Sequence, residues 1–385
     1  MAKPEAGAGA TLPVLVVRGS HADLGRAMGE RQREQIARVV MRAQEGFHER
    51  GTTEAEVREQ NAPYVAAAAR IYPGYLTELE AMAEGAGVPF DVLFRLNCYE
   101  AYPPGTRPRR PRDTERETER ETERVPSKDP AELAVANDPA AVVATPADGC
   151  TSVASRGSGG VVVGHTEDSS PEAIGGIYLV DAQVDTSPVA PGGRFKALNY
   201  AQTLPGCAAA VNEAGLIVLI DALPDPDRRV GAPRHMVSRA LLDLPSIDVA
   251  VDHLRQTERG GGWNYLLVQG ERIVDVEATA TRLVVHEAGP SGAYAHANHY
   301  LDPVLAADSG DPRPNSITRL SRALELVTPG MDLAQMQALL SDKQHSPDSI
   351  CRDRTVAAFV ADTAARQVQV CWGEPDGATW TAYGY

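Results

Sequence analysis

No stretch of this chain approaches the ~20 apolar residues that a membrane-spanning helix needs, so no helical anchor is expected. The amino terminus, MAKPEAGAGATLPVLVV, lacks the charged region and the apolar run of about 7–15 residues that mark a secretory leader. Cysteines are scarce: five in 385 residues, odd in number and far apart (Cys98, Cys150, Cys207, Cys351, Cys371). That pattern fits reduced thiols rather than a disulfide framework. These absences together predict a cytoplasmic protein. Lys and Arg number 37 against 52 Asp and Glu, and a net charge of −15 argues against nucleic acid or an anionic membrane as partner. Metal-binding spacings such as HExxH or paired CxxC are missing. So are a GxxxxGK[ST] phosphate loop, a GxSxG elbow and any internal repeat at 20–50-residue spacing.

What remains is a folding chain: 43% of the residues are hydrophobic and 23% charged, enough apolar material for a sizeable core in one large domain or two. PVLVV at 13–17 reads as a strand, and apolar spacing predicts helices over 21–50, 54–71, Thr77–Glu84 and Phe90–Tyr99. Residues 1–102 are therefore mainly helical. Residues 103–148 change texture, passing from PPGTRPRRPRD through TERETERETER into a Pro/Ala-rich run. With no apolar face to bury, this tract is expected to be a solvated insertion or linker. From Cys150 onward strands dominate, at 150–155, 160–165, 175–183, 195–201, 207–211, 215–221, 263–269, 272–277, 282–287, 355–361 and 367–372. Helical stretches at 233–242, 246–256, 315–327 and 332–341 lie between them. Many antiparallel strands with a few helices, after a helical opening, indicate an α+β fold in layers rather than alternating βαβ units.

The segment PADGCTSVASRGSGGVVVGHTED, 146–168, places Cys150 at the start of a hairpin whose turn is Gly157-Ser158-Gly159-Gly160. With the usual metal and phosphate motifs absent, nucleophilic catalysis by a cysteine is the chemistry left, and Cys150 has the most unusual surroundings. Histidines 296 and 299 in HANH are weak grounds for a metal site.

Several segments, taken in order, resemble the isopenicillin-N acyltransferase-like family of N-terminal-nucleophile (Ntn) hydrolases. They are RGSHADLGRAMGERQ, then Asp148-Gly149-Cys150-Thr151, then Asp168 in GHTED, VNEAGLIV, GGGWNYLLV with VDVEAT, HANH, and SPDSICRDRTVAAFVADTAARQVQVCWGEP. The resemblance covers most of the chain, leaving out 103–148. It implies a four-layer αββα sandwich with two central antiparallel sheets. It also implies cleavage between Gly149 and Cys150, giving an α-chain of residues 1–149 and a β-chain of 150–385 that stay associated as one domain. The thiol of Cys150 would attack the Gly149 carbonyl through a five-membered ring, and Gly149, without Cβ, tolerates the strained backbone this needs. The freed α-amine, with a pKa of ~7.7–8.0, then serves as a base on the nucleophile's own residue.

By the same resemblance Asp168 orients the new amino terminus, Asn298 donates to an oxyanion, and Arg352, with Arg354 as competitor, is the functional arginine. The family usually reads Gln-Asn-x-Asp where this chain has His165-Thr166-Glu167-Asp168, a departure that bears on the pocket. Cys351 stands at a position often held by serine. Asn212 and Gly215 are expected in a turn between strands, and Glu277 in a structural role. The implied activity is a self-cleaving cysteine enzyme that takes an acyl group from a small amide or thioester, an acyl-CoA among them as co-substrate. It passes that group to an amine or to water, with no other cofactor and no metal. A plain amidohydrolase acting on a small N-acyl or β-alanyl amide is the alternative within that chemistry. A silent Ntn-fold binding protein and a metal hydrolase centred on HANH are the alternatives outside it.

Overall fold

Residues 14–19, VLVVRG, alternate in exposure as the first strand, β1 (Val14–Gly19), and Ser20 then opens the first helix. The computed structural model describes residues 11–102, 149–185, 193–289 and 291–385. The 103–148 tract, expected to be an insertion, lies outside the described residues. In α1 (His21–Arg31), Ser20 and Asp23 bond each other's backbone N–H in a reciprocal cap. The single helix expected over 21–50 is two: Gln32, with φ −108° and ψ 16°, breaks the path before α2 (Arg33–Glu49). Apolar spacing runs through the break, which is why it is not legible. Next come α3 (Glu54–Ile71), capped by Thr53 and Glu56, and α4 (Pro73–Ala86). The latter starts before the expected Thr77 because proline at the first helical position loses no hydrogen bond. α5 (Phe90–Asn97) follows. α1 and α4 meet backbone to backbone: a Cβ on Gly25 would lie 1.9 Å from the Glu78 carbonyl oxygen, and one on Gly29 2.2 Å from that of Met82.

After Gly149 the chain makes β2 (Gly149–Gly157), β3 (Gly160–Asp168), β4 (Ile177–Val184), β5 (Gly193–Tyr200), β6 (Ala210–Asn212) and β7 (Ile217–Asp221). Two helices, α6 (Arg234–Leu241) and α7 (Ile247–Gln256), lead to β8 (Asn264–Gln269), β9 (Arg272–Ala278), β10 (Leu283–Glu287) and β11 (Ala293–His296). The chain ends through α8 (Pro303–Ala306), α9 (Pro314–Leu326), α10 (Leu333–Leu340), β12 (Thr355–Asp362), β13 (Gln367–Trp372) and β14 (Thr381–Gly384). The short β11, β14 and α8 escaped the sequence reading. Four-residue elements owe their form to the neighbours they pair with or cap, not to an internal period.

The strands form two sheets, one in the order β1-β4-β5-β6-β7-β8-β9-β10 and one in the order β11-β2-β3-β12-β13-β14. Among the described strands, pairing is antiparallel apart from β1 beside β4 at one edge. α1 packs on β1 and β4, and α7 on β8 and β10, covering the outer face of the larger sheet. α9 on β2 and β11, with α10 on β3 and β12, covers the outer face of the smaller one, while β2 faces β7 across the middle. The layers therefore run helix, sheet, sheet, helix, the αββα sandwich expected. Covered on both sides, β7 reads IVLID and is buried along its whole length. One apolar cluster joins the helical opening to the larger sheet and the inter-sheet space, and a second lies between the smaller sheet and α9 and α10. No described helix is long and apolar enough to cross a membrane. All five cysteines are buried and unpaired.

Candidate active site

The β2–β3 hairpin turns through Ser158 and Gly159, the latter at φ 96° where a side chain would be strained. Its register sets Gly149 opposite Asp168, Cys150 opposite Glu167 and Ser152 opposite His165. Opposed residues share a face and successive pairs alternate. The Cys150–Glu167 and Ser152–His165 pairs point to the larger sheet, where Tyr200 on β5 meets Glu167. Gly149–Asp168 and Thr151 point to α9, whose Arg319 meets Thr151.

The peptide between Gly149 and Cys150 lies within a ring of held groups. The Cys150 N–H donates to Asn298 Oδ1 at 2.8 Å. Arg319, fully buried, donates to the Cys150 carbonyl, to Thr151 Oγ1 at 2.9 Å and to Asn298 Oδ1 at 2.6 Å. Asp168 accepts from Thr355 Oγ1 at 2.7 Å and pairs with Arg352 Nη1 at 3.2 Å. Arg352 is itself fixed by the Pro347 carbonyl, 3.1 Å from its Nε. A Cβ on Gly149 would stand 3.0 Å from Arg319 Nη2 and 3.2 Å from both Arg352 Nη1 and Asp168 Oδ2. A side chain there would press on these three charged groups, each of which would have to give by a few tenths of an ångström.

Four of the expected site residues, Cys150, Asp168, Asn298 and Arg352, thus gather around Gly149, with Arg352 as the guanidinium that reaches Asp168. Two details differ from expectation. Asn298 turns its carbonyl, not its NH2, to Cys150, because two donors, the Cys150 N–H and Arg319, converge on that atom. One of its amide hydrogens goes to the Ala222 carbonyl at 3.1 Å, which leaves the second for another acceptor. Arg319 carries no motif and was not singled out. It is one arginine in an amphipathic helix, and its partners lie far away in sequence.

On the other face the thiol enters a buried polar chain. Cys150 Sγ lies 3.8 Å from Glu167 Oε1, which also accepts from the Tyr200 hydroxyl at 2.8 Å. Glu167 Oε2 accepts from His165 Nε2 at 2.8 Å, and His165 Nδ1 sits 3.0 Å from Ser152 Oγ. Burial holds the Cys150 thiol well above the usual range, and the carboxylates of Glu167, Asp221 and Asp168 add to this. Burial likewise raises Glu167, against the bonds from His165 and Tyr200. His165 is raised as well: burial opposes its charge, but the Glu167 carboxylate outweighs that.

The HANH histidines face different partners. His296 Nε2 lies 3.0 Å from Glu277 Oε1 and its Nδ1 3.5 Å from Asp221 Oδ2. His299 turns to Ser316 Oγ at 2.7 Å. Burial works against the His296 charge, yet Asp275, Asp221 and Glu277 together push it up to about 10. Glu277 also accepts from the backbone N–H of Leu301 and Asp302, which pins the loop carrying Asn298. Among the described residues, metal-type ligand atoms come within 4.8 Å of one another in two groups, Cys150/His165/Glu167 and Asp275/Glu277/His296. Asn212 ties the β6–β7 turn, accepting from Leu216 N–H at 3.0 Å, with Gly215 at φ 79°.

Residues 155–377 match the family model described as acyl-coenzyme A:6-aminopenicillanic acid acyl-transferase. That range takes in Asp168, Asn298 and Arg352 and begins after Cys150. The beta-alanyl-dopamine/carcinine hydrolase of Drosophila melanogaster is 22% identical over 406 residues, covering 94% of this chain and 93% of its own. Among solved structures, the Caenorhabditis elegans ortholog of N-acylethanolamine-hydrolyzing acid amidase is 17% identical. It aligns over 56% of this chain and 93% of that one, with a TM-score of 0.41. The C2A mutant of conjugated bile acid hydrolase from Clostridium perfringens is 11% identical over 61% of this chain and 97% of its own, with a TM-score of 0.39.

Proposed function

Since the chain belongs to the acyl-coenzyme A:6-aminopenicillanic acid acyl-transferase family, we propose that it is an enzyme that cleaves itself between Gly149 and Cys150 and then uses Cys150 as its nucleophile. One observation carries this reading: Gly149 is enclosed by Arg319, Arg352 and Asp168 while the Cys150 nitrogen is held by Asn298. A structural cysteine needs no such apparatus around the peptide bond before it. Cleavage frees the Cys150 amine, which takes over as base beside the thiol it activates. Asp168 holds that amine in this reading, supported by its register opposite Gly149 and its fixing by Arg352 and Thr355. The thiol attacks a small amide or thioester, an acyl-CoA among them, and the acyl group rests on Cys150. The spare amide hydrogen of Asn298 is available to the oxyanion of the tetrahedral state.

The acyl group then passes to an amine or to water. Hydrolysis of a small amine conjugate is favoured by the Drosophila relative, whose name is that of a hydrolase and whose likeness spans 94% of this chain. Residues 1–149 and 150–385 stay together as one domain in this reading, with 103–148 as the connecting tract. What supports it is β1 paired along β4 within one sheet, and buried charge pairs that cross the cut: Arg239 with Glu78 at 3.2 Å, and Arg234 with Glu100 at 2.7 Å.

Intact-mass measurement of the purified protein under denaturing conditions, beside Cys150→Ala, tests the reading. Two wild-type chains, the larger beginning at Cys150, and a single uncleaved mutant chain are expected. A wild-type chain that stays whole on long incubation refutes it. Product analysis with an N-acyl amide, with and without added amine, then separates transfer from hydrolysis.

A further inference from the structure

Before the Gly149–Cys150 bond is cut, the nitrogen of Cys150 is an amide and cannot accept a proton. The amine that serves the cleaved enzyme is thus missing from the one reaction that creates it. The thiol is fully buried and held protonated by its surroundings, so self-cleavage needs another acceptor within reach of Sγ.

We propose that Glu167, oriented by His165 and Tyr200, is the general base of self-cleavage, accepting the Cys150 thiol proton through Oε1. The proposal rests on the reading of Cys150 as a self-cleaving nucleophile. Glu167 Oε1 is 3.8 Å from Sγ, directly across the hairpin register. The Tyr200 hydroxyl and His165 Nε2, each at 2.8 Å, fix its two oxygens, and Ser152 fixes the far side of His165. Every member of this chain is buried, so no bulk water competes for the proton. Burial raises the Glu167 carboxyl and makes it the stronger base once ionised. His165 stands where the family this chain resembles usually has Gln, and Glu167 fills the position that the Gln-Asn-x-Asp pattern leaves open.

The step balances without a co-reactant other than water. As Sγ bonds to the Gly149 carbonyl carbon, the thiol proton passes to the Glu167 carboxylate, and the carbonyl electron pair moves onto oxygen in a five-membered ring. When the ring opens, the carbon–nitrogen bond breaks and the nitrogen takes the proton that Glu167 holds. A thioester joins Gly149 to Sγ beside a free amine. Water hydrolyses it to the Gly149 carboxylate and the free thiol.

The test follows self-cleavage of the full chain by gel after pulse-labelled cell-free synthesis. Glu167→Gln keeps an acceptor for Tyr200 and a polar neighbour for His165 but cannot hold the proton. It is expected to lengthen the half-time by about 10²-fold or more, the usual worth of a general base. Glu167→Gln cleaving at the wild-type rate, while Cys150→Ala stays whole, overturns the proposal and leaves the reading of Cys150 standing. A wild-type chain that never cleaves refutes that reading instead. Folding is checked by thermal unfolding of Cys150→Ala against Cys150→Ala/Glu167→Gln. If the second mutation unfolds the chain, the wild-type pH profile decides. The titratable and charged groups facing the pair are His165 and Asp168 on β3, Tyr200 on β5, Cys207 beyond it, Asp221 on β7 and Arg319 on α9. A cleavage rate that rises with pH to a plateau supports the proposal. A rate that climbs in proportion to hydroxide throughout, as unassisted thiolate formation gives, overturns it.

Discussion

Replacing Arg319 by methionine keeps the volume of the side chain in α9 and removes its charge and its fork. Four acceptors lose a donor: the Cys150 carbonyl, Thr151 Oγ1, Asn298 Oδ1, which retains the Cys150 N–H, and, at a longer 3.4 Å, Asn315 Oδ1 on the same helix. Hydrogen bonds to a charged group are worth about 1.5–3 kcal/mol each. Their sum overstates the loss, because a buried guanidinium also costs several kcal/mol to desolvate and methionine escapes that cost. A net loss of about 3 kcal/mol follows, which lowers the unfolding midpoint by roughly 6 °C at about 2 °C per kcal/mol. The larger effect is on rate. With Asn298 and the Cys150 carbonyl no longer pinned by one group, misplacement by a fraction of an ångström costs about 10²-fold in both self-cleavage and turnover. Arg319→Lys separates the two effects: it restores charge but not the planar fork, so stability recovers more than rate does. Thermal unfolding and a gel assay of self-cleavage, on wild type, Arg319→Met and Arg319→Lys side by side, measure both. Should Arg319→Met melt with the wild type and cleave at its rate, Arg319 does not organise the site.

Asn298→Ala is expected to lower the turnover rate by about 10²–10³, the worth of one oxyanion donor, with a smaller change in KM; steady-state kinetics on a small N-acyl amide read this. Gly149→Ala should slow self-cleavage by about tenfold or more, because its Cβ meets Arg319, Arg352 and Asp168 at 3.0–3.2 Å and presses on these charged groups; the fraction of uncleaved chain by mass reports it. His296 supplies a pH dependence of stability. Its folded pKa of about 10 lies above the ordinary imidazole value near 6.5. The stabilisation it provides is complete below about pH 6.5 and is lost as the pH rises toward 10. Unfolding midpoints across that window should decline for the wild type, and His296→Gln should flatten the decline while lowering the acid-side plateau.

Much of this could be read without coordinates, and the reason is locality. The β2–β3 hairpin announces itself through Gly157-Ser158-Gly159-Gly160 between two β-branched runs. The layered α+β class follows from a helical opening and a strand-rich remainder. Ordered motifs brought Cys150, Asp168, Asn298 and Arg352 forward as candidates, although nothing in those motifs says which atoms meet.

Sequence alone determined much of what depends on neighbours along the chain: most of the longer helices and strands, the hairpin turn, and the identity of the thiol that follows Gly149. Only the tertiary structure decided what depends on elements distant in sequence. Arg319 reaches the Cys150 carbonyl across 169 positions, and Tyr200 reaches Glu167 from the facing sheet. Asn298 points its carbonyl inward because two donors from separate elements converge on it. The burial that raises the Cys150 thiol and the Glu167 carboxyl exists only once two sheets close over them. Hydrogen bonding and desolvation act over a few ångströms of space, and distance along the chain carries no record of them.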